Sequence, residues 1–235
     1  VRSHNEDSVT ILKNDAGEYL LIVADGMGGH RAGEVASSMV VTHLGKRFND
    51  LVTVGTKYDA TNWLKDNISE INHHIVEYAS NNPESKGMGT TVVVALLTHD
   101  FLLYANVGDS SGFAMKNGHL LKVTKDHTLV QLLVQAGDLT EEEAKYHPKK
   151  NVLMKALGGE EDVVPDIYEV DMSFDAILLS SDGLTNMLSN EAIEKVLNDP
   201  ELSIEDKVVK LIRKCNARGG TDNISVAYLV KESGE

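Results

Sequence analysis

Three aspartates stand at the edges of apolar runs. Asp25 and Asp182 each end such a run and precede glycine, whereas Asp222 leads into one. Short β-branched runs bounded by Gly and Asp are typical of buried strands. Carboxylates at rigid strand ends can converge, and they repel each other unless protons or cations neutralise them. Because hard oxygen ligands select Mg²⁺ or Mn²⁺, the pattern indicates a two-metal hydrolytic site. The alternative is that Asp-Gly is ordinary turn chemistry.

Other residues near these aspartates could complete such a site. The segment from Asp25 to His30 reads Asp-Gly-Met-Gly-Gly-His, and its glycines permit close backbone approach to a ligand. The spacing does not fit a dinucleotide-binding loop. His30 could donate a proton to a leaving alkoxide. Arg2, unless it is a solvated surface residue, could bind a phosphate through two hydrogen bonds.

Composition limits the possible partners. The 235 residues include 22 basic and 36 acidic side chains, a net charge of −14. This excess argues against binding to nucleic acid or anionic membranes, which reward positive patches. We see no run of membrane-spanning length and no signal peptide, so we expect a cytoplasmic protein. The lone Cys215 lies in an apolar helical pattern, which favours a buried structural thiol over a reactive one.

The hydrophobic pattern predicts mixed α and β structure. Nine runs are predicted strands, at residues 8–12, 19–25, 90–98, 101–108, 112–116, 119–123, 166–171, 176–181 and 224–230. Amphipathic stripes predict long helices through 36–48 and 64–78. Shorter helices are predicted at 127–136, 140–146, 191–197 and 203–216.

The order of these elements predicts the fold class. Helices do not alternate one-for-one with strands, so a doubly wound parallel sheet fits poorly. Hairpin turns are predicted at 98–100 and 116–118, which makes the neighbouring strands antiparallel. We therefore expect an α+β fold with a central sandwich of two antiparallel β-sheets flanked by α-helices in four layers. The stretch 137–165 breaks the strand pattern and is predicted to be a small surface insert.

Several motifs occurring in order resemble the protein phosphatase 2C family of metal-dependent Ser/Thr phosphatases, bacterial branch. They are Arg2 with Asn5-Glu6-Asp7, the Asp25–His30 loop, Gly87-Met-Gly-Thr-Thr91, Gly108-Asp-Ser110, Asp126-His127, Ser181-Asp-Gly183 and Asp222-Asn223. The resemblance covers essentially the whole chain. It implies one catalytic domain over residues 1–235, a β-sandwich flanked by helices, and a flap near 137–165 beside the active site.

The resemblance also implies a role for each site residue. Asp25 would bridge two Mn²⁺ or Mg²⁺ ions. Asp182 and Asp222 would hold the first ion, and the Gly26 carbonyl would hold the second, with Glu6 acting through water. Asp126, with Asp182, would hold a weaker third ion. Arg2 would bind the substrate phosphate, while Asp109 and Thr90 would support the loops.

The expected reaction is hydrolysis of phosphoserine and phosphothreonine in proteins, without a covalent enzyme intermediate. The expected partners are phosphoproteins, including a Ser/Thr kinase and its substrates, and the chain is expected to be a monomer in bacterial signalling. The alternatives are a catalytically inactive phosphatase fold used as a regulatory module, and a two-metal nuclease. The chain departs from the family at Ser111, where Arg is usual, and lacks a first strand upstream of Arg2. Trimming upstream would explain the missing strand.

Overall fold

The structure, a computed structural model, describes Arg2 and residues 4–29 and 31–231. Its strands form two sheets in which every pairing is antiparallel. The first sheet has six strands, in the order β1-β2-β4-β5-β8 with β3 paired to β2. These are β1 (Asp7–Lys13), β2 (Tyr19–Met27), β3 (Gly89–Thr90), β4 (Val92–Leu97), β5 (Leu102–Val107) and β8 (Asp166–Val170).

The second sheet has four strands, in the order β10-β9-β6-β7. They are β6 (Ser111–Lys116), β7 (His119–Lys122), β9 (Ala176–Ser180) and β10 (Val226–Val230). The β6–β7 turn needs left-handed backbone at both central residues, with φ of 52° at Asn117 and 78° at Gly118. This Asn-Gly pair suits the mirror-image turns of tight hairpins. The predicted hairpin at 116–118 is therefore confirmed, as is the one that joins β4 to β5.

Seven helices and one short 3₁₀ turn (Pro83–Ser85) connect the described strands. The helices are α1 (Arg31–Asn49), α2 (Lys57–Asn81), α3 (Leu129–Ala136), α4 (Glu141–Tyr146), α5 (Asp182–Thr185), α6 (Asn190–Leu197) and α7 (Ile204–Ala217). None of the described helices has the length and apolar character needed to cross a bilayer.

Three apolar clusters separate four layers. The first lies between α1, α2 and the outer face of the first sheet and includes Leu44, Ile68 and Val94. The second lies between α5–α7 and the second sheet. The third fills the space between the two sheets around Tyr104 and Leu179. The predicted α+β sandwich of two antiparallel sheets flanked by helices is thus confirmed. Cys215 is fully buried in the second cluster, as predicted.

Local capping explains where the helices begin. The Thr140–Glu143 capping box starts α4 as predicted, and Ser189 caps α6. The prediction that a helix begins at residue 127 is wrong, because Thr128 is the N-cap of α3. His127 therefore precedes the helix and is free to bond elsewhere. The short helix α5 was not predicted, since four residues are too few to show an apolar period.

Residues 137–165 contain α4 and no strand longer than an isolated bridge. Their first half is mostly exposed, with Ala144 buried, whereas Leu157 and Val163 are buried in the first apolar cluster. The Thr90–Leu157 bridge and hydrogen bonds from the Asn72 amide to the carbonyls of Glu160 and Glu161 attach the second half.

Tyr104 ties the two sheets together. Its ring is fully buried, and its hydroxyl donates to the Phe113 carbonyl at 2.8 Å. We expect Tyr104→Phe to lower the free energy of unfolding by about 1–2 kcal/mol, because a buried acceptor loses its donor. Urea denaturation would measure this. Tyr58→Phe, at a 75% exposed position, is the matched control and should change nothing. Equal stability of both variants would contradict the role given to this hydroxyl.

Candidate active site

Asp25 and Asp7 lie side by side because β1 and β2 pair antiparallel with Asp7 opposite Asp25. Strand β2 runs two residues beyond its predicted end, since β3 pairs with Gly26 and Met27. Thr91 fixes this end of the strand: its amide donates to the Asp25 carbonyl at 2.9 Å, and its hydroxyl accepts from the Asp25 amide at 3.0 Å. The threonines of the Gly-Thr-Thr motif thus hold the backbone of Asp25.

Close backbone packing requires glycine at position 26. A Cβ there would lie 2.1 Å from the Gly33 carbonyl oxygen and 2.5 Å from that of Glu6. The Gly26 amide donates to the same Glu6 carbonyl at 3.1 Å. The start of α1 and the segment before β1 therefore both press against the end of β2, which places Glu6 beside Asp25.

The second sheet brings Asp182 and Asp222 to the same place. Asp182 opens α5 at the end of β9, and a Cβ on Gly183 would lie 1.9 Å from the Asn223 carbonyl oxygen. Asn223 also joins the two sheets. Its side-chain oxygen accepts from the Glu6 amide at 3.1 Å, and its side-chain amide donates to the His4 carbonyl at 2.9 Å.

Serine hydroxyls complete the bridge between the sheets. The Ser181 hydroxyl donates to Asp7 Oδ2 at 2.8 Å and accepts from the Ser225 amide at 3.0 Å. Three carboxylate oxygens nearby are buried without a hydrogen-bond partner: Glu6 Oε1, Asp7 Oδ1 and Asp182 Oδ1. Buried anionic oxygens without partners are costly and point to a missing cation.

Like charges and burial disturb the ionisation of this acidic cluster. Burial, followed by repulsion from Asp7 and Asp182, raises the pKa of Asp25 to about 10. Burial and then Asp222 raise the pKa of Asp182 to about 6, and burial raises that of Asp7. The carboxyl of Asp25, crowded by those of Asp7 and Asp182, therefore favours keeping its proton when no cation is bound. A divalent cation can take the place of that proton.

Two cationic side chains lie on carboxylates at the rim of the site. Arg2 Nη2 is 3.1 Å from both carboxylate oxygens of Asp222, and its Nε donates to the Thr221 carbonyl at 3.1 Å. Lys122 Nζ lies 2.7 and 2.8 Å from the two oxygens of Asp126. Within the described ranges, no set of three His, Cys, Asp or Glu side chains is arranged to hold a metal ion. Arg2 and Lys122 each occupy carboxylate oxygens that a metal ion would need.

Asp126 and Asp109 line a neighbouring pocket of about 610 Å³, together with Asp182 and α4 residues of the 137–165 segment. Burial, followed by repulsion from Asp182 and Asp126, raises the pKa of Asp109 to about 7. His127, which follows Asp126, connects the loop of Asp109 to Asp166 at the start of β8. Its Nδ1 accepts from the Gly108 amide at 3.1 Å, and its Nε2 lies 3.1 Å from Asp166 Oδ2.

The structure therefore brings together six of the residues predicted from sequence. One cluster contains Arg2, Glu6, Asp25, Gly26, Asp182 and Asp222. Asp126 lies beside this cluster and lines the neighbouring pocket together with Asp182. His30 lies outside the described residues. Sequence reasoning missed Asp7, which only cross-strand pairing with Asp25 could have revealed. It also placed Asp109 outside the acidic set, although Asp109 faces Asp182.

Comparison with known proteins gives a consistent result. The family profile of protein phosphatase 2C matches residues 1–224. A serine/threonine phosphatase, stp, of Listeria welshimeri is 41% identical over 227 residues, covering 96% of this chain and 90% of that protein. The crystal structure of Stp1 from Staphylococcus aureus matches with a TM-score of 0.92 and 38% identity, covering 99% of this chain and 91% of the other.

A third match bears on metal. It is the catalytic domain of the serine/threonine phosphatase PstP, crystallised in complex with two manganese ions, with a TM-score of 0.83 and 35% identity over 97% of this chain and 92% of that one. Family profile, sequence relatives and fold agree over nearly the full length. This chain belongs to the protein phosphatase 2C family.

Proposed function

We propose that the acidic cluster hydrolyses phosphoserine and phosphothreonine in proteins, with Mn²⁺ or Mg²⁺ ions held by its carboxylates. Serine/threonine phosphatase activity agrees with the family and with the relatives at about 40% identity. The observation that carries the metal requirement is the buried carboxylate set, with unpartnered oxygens and a pKa of about 10 at Asp25. If its carboxyls stayed protonated and bound no ion, the cluster would have no catalytic role.

Each residue has a task in this proposal. Asp25 would bridge two ions, with Asp182 and Asp222 on the first. The Gly26 carbonyl would hold the second, with Glu6 acting through water. When bound, the ions would supply positive charge against the phosphate oxygens and make water easier to deprotonate. Asp7 would hold Asp25 and Ser181 in place. His30 stays the candidate donor of a proton to the departing serine or threonine oxygen.

Arg2 would bind the substrate phosphate. Its Nε and Nη2 contact Thr221 and Asp222, and no described residue accepts a hydrogen bond from Nη1. A guanidinium can serve a carboxylate and a phosphate at once because it carries five donors.

Cys215 takes no part in catalysis. Its thiol is fully buried, and burial raises its pKa, so it cannot act as a thiolate nucleophile. This favours direct attack by water over a cysteinyl-phosphate intermediate. The proposed partners are phosphoproteins, including a Ser/Thr kinase and its substrates, acted on by a cytoplasmic monomer in bacterial signalling.

Hydrolysis of a phosphothreonine peptide, followed by phosphate release, tests the function. Activity should vanish after chelation and return with Mn²⁺ or Mg²⁺ better than with Ca²⁺, because the ligands are all oxygen and the ions must be small. A single-stranded DNA substrate should stay intact. Full peptide hydrolysis in excess chelator would refute the proposal.

Asp25→Asn should reduce turnover at least about a hundredfold, because it removes a bridging carboxylate. In chelator the variant should be more stable than the wild type. Because the pKa of Asp25 is raised in the folded state, the folded chain holds this proton more tightly than the unfolded chain does. The free energy of unfolding is therefore unaffected by this group below about pH 4 and falls as pH rises towards 10. At pH 8 we expect a gain on the order of 1–3 kcal/mol in the free energy of unfolding.

Denaturation curves at pH 5 and pH 8 in chelator would measure this effect. The wild type should lose stability between the two, and Asp25→Asn should lose less. Added Mn²⁺ should stabilise the wild type and have little effect on the variant. A variant that is less stable than the wild type at pH 8 in chelator would contradict the charge argument.

Asp126→Asn should leave two ions bound and lower turnover of phosphoprotein, because the weaker third ion would lose one of its few ligands. Lys122→Met is the informative partner variant, since it frees the Asp126 oxygens from a competing cation. It should raise the affinity of the weakest site. Asp109→Asn shows whether the neighbouring carboxylate shares the role. Isothermal titration with Mn²⁺ would count the ions, and three sites retained in Asp126→Asn would exclude this ligand.

Arg2→Ala should lower kcat/KM for phosphopeptide by roughly tenfold to a hundredfold, the effect of losing a charge-assisted contact of about 1.5–3 kcal/mol. Metal affinity should not fall, because Asp222 loses a competing cation. Inhibition by free phosphate should weaken. Arg2→Lys keeps the charge without the paired donors and should recover only part of the loss. Unchanged kinetics and phosphate inhibition in Arg2→Ala would leave phosphate binding to the metals alone.

A further inference from the structure

A groove of about 880 Å³ runs between the outer faces of α1 and α2. One stripe of α1 forms its length, from Arg31 through Val35 and Met39 to Lys46. Fifteen residues of helix separate its ends, which corresponds to about 22 Å at about 1.5 Å per residue. An extended peptide at about 3.3 Å per residue would span that length with about seven residues.

The groove is apolar in the middle and cationic at both ends. Val35 and Met39 are half-buried against the first apolar cluster, and buried Ile71 of α2 lies opposite. Arg31 and Lys46 are exposed, and neither forms an ion pair with a described residue. This contrasts with Arg47, one residue beyond, which is neutralised by Glu70 at 2.5 Å.

Histidines contribute imidazole rings to the lining. His4, His43 and His74 all contribute, and the rings of His43 and His74 pack edge to face at 5.6 Å. Glu34 is the single acidic residue among those that line the groove in the described ranges. On a chain with a net charge of −14, two unneutralised cations around an apolar strip form a local site for a negatively charged ligand with an apolar centre.

The Arg31 end of this groove adjoins the carboxylate cluster. Gly33, two residues after Arg31, contacts Gly26 and Glu6. His4 lines the groove, and its carbonyl accepts from Asn223, the residue after Asp222. A protein chain with its phosphorylated residue at the cluster could therefore continue along α1.

We propose that this α1–α2 groove binds a segment of the phosphoprotein substrate in which acidic residues flank an apolar stretch. This deepens, and rests on, the proposed phosphatase function. Arg31 and Lys46 attract the acidic ends of the segment, and Val35 and Met39 contact its apolar centre. Selection of substrates then depends on sequence beside the phosphorylated residue as well as on the phosphate.

Direct binding tests the groove without requiring activity. The probe is a fluorescein-labelled, unphosphorylated ten-residue peptide with two Glu at each end and alternating Leu and Val between them. Lys46→Glu should weaken its binding by about threefold to tenfold, since one favourable charge contact becomes repulsive. Lys46→Arg should bind normally. Lys65→Glu is the matched control, because it changes net charge equally at an exposed position of α2 outside the groove.

Kinetics on the same variants connect the groove to substrate choice. With a phosphothreonine added at one end of the peptide, Lys46→Glu should raise KM by a similar factor and leave kcat unchanged. Hydrolysis of p-nitrophenyl phosphate, which is too small to reach Lys46, should not change. If wild type hydrolyses neither substrate, the phosphatase function fails, while peptide binding still decides the groove. Equal effects of Lys46→Glu and Lys65→Glu, or no effect of either, would overturn the proposal.

Discussion

The convergence of like-charged carboxylates from two separate sheets is the constraint on which this structure depends. Asp7 and Asp25 come from the first sheet, while Asp182 and Asp222 come from the second. Repulsion and burial oppose their meeting, as the pKa of about 10 at Asp25 records. Hydrogen bonds made by uncharged side chains hold the strand ends together instead, through the Ser181 hydroxyl and the Asn223 amide. The sandwich core between the sheets provides the rigidity that the acidic edge lacks.

The protein's own cationic side chains and metal ions from solution would compete for the same carboxylate oxygens. Arg2 lies on Asp222 and Lys122 on Asp126, so each rim carboxylate is neutralised by the protein itself. The central oxygens of Glu6, Asp7 and Asp182 have no such partner. An ion would therefore gain most at the centre, where burial is deep and Arg2 competes only for the Asp222 oxygens. At Asp126 an ion would have to displace the Lys122 ammonium group, so the proposed third site would be the weaker one.

Much of this arrangement could be predicted from sequence, because strands and caps are local. The runs before Asp25 and Asp182, the Thr140 cap and the Asn117-Gly118 turn all carry signals within a few residues. Asp7 and Asp109 could not be selected in the same way. Their roles depend on register between β1 and β2 and on a loop approaching Asp182, which are tertiary facts. His127 shows the same limit, since its bonds to Gly108 and Asp166 require three distant segments to meet.

The glycine contact between Gly26 and Gly33 links the cluster to the surface beyond it. With no room for a Cβ on either residue, α1 cannot shift along β2 without moving the backbone of Asp25. The helix that forms the groove wall is thus held in fixed register with Asp25. A segment bound along α1 would be positioned relative to the cluster by packed backbone, and its phosphate would be aligned by the same rigid contact that aligns Asp25. Chemistry and sequence selection would then share one structural element.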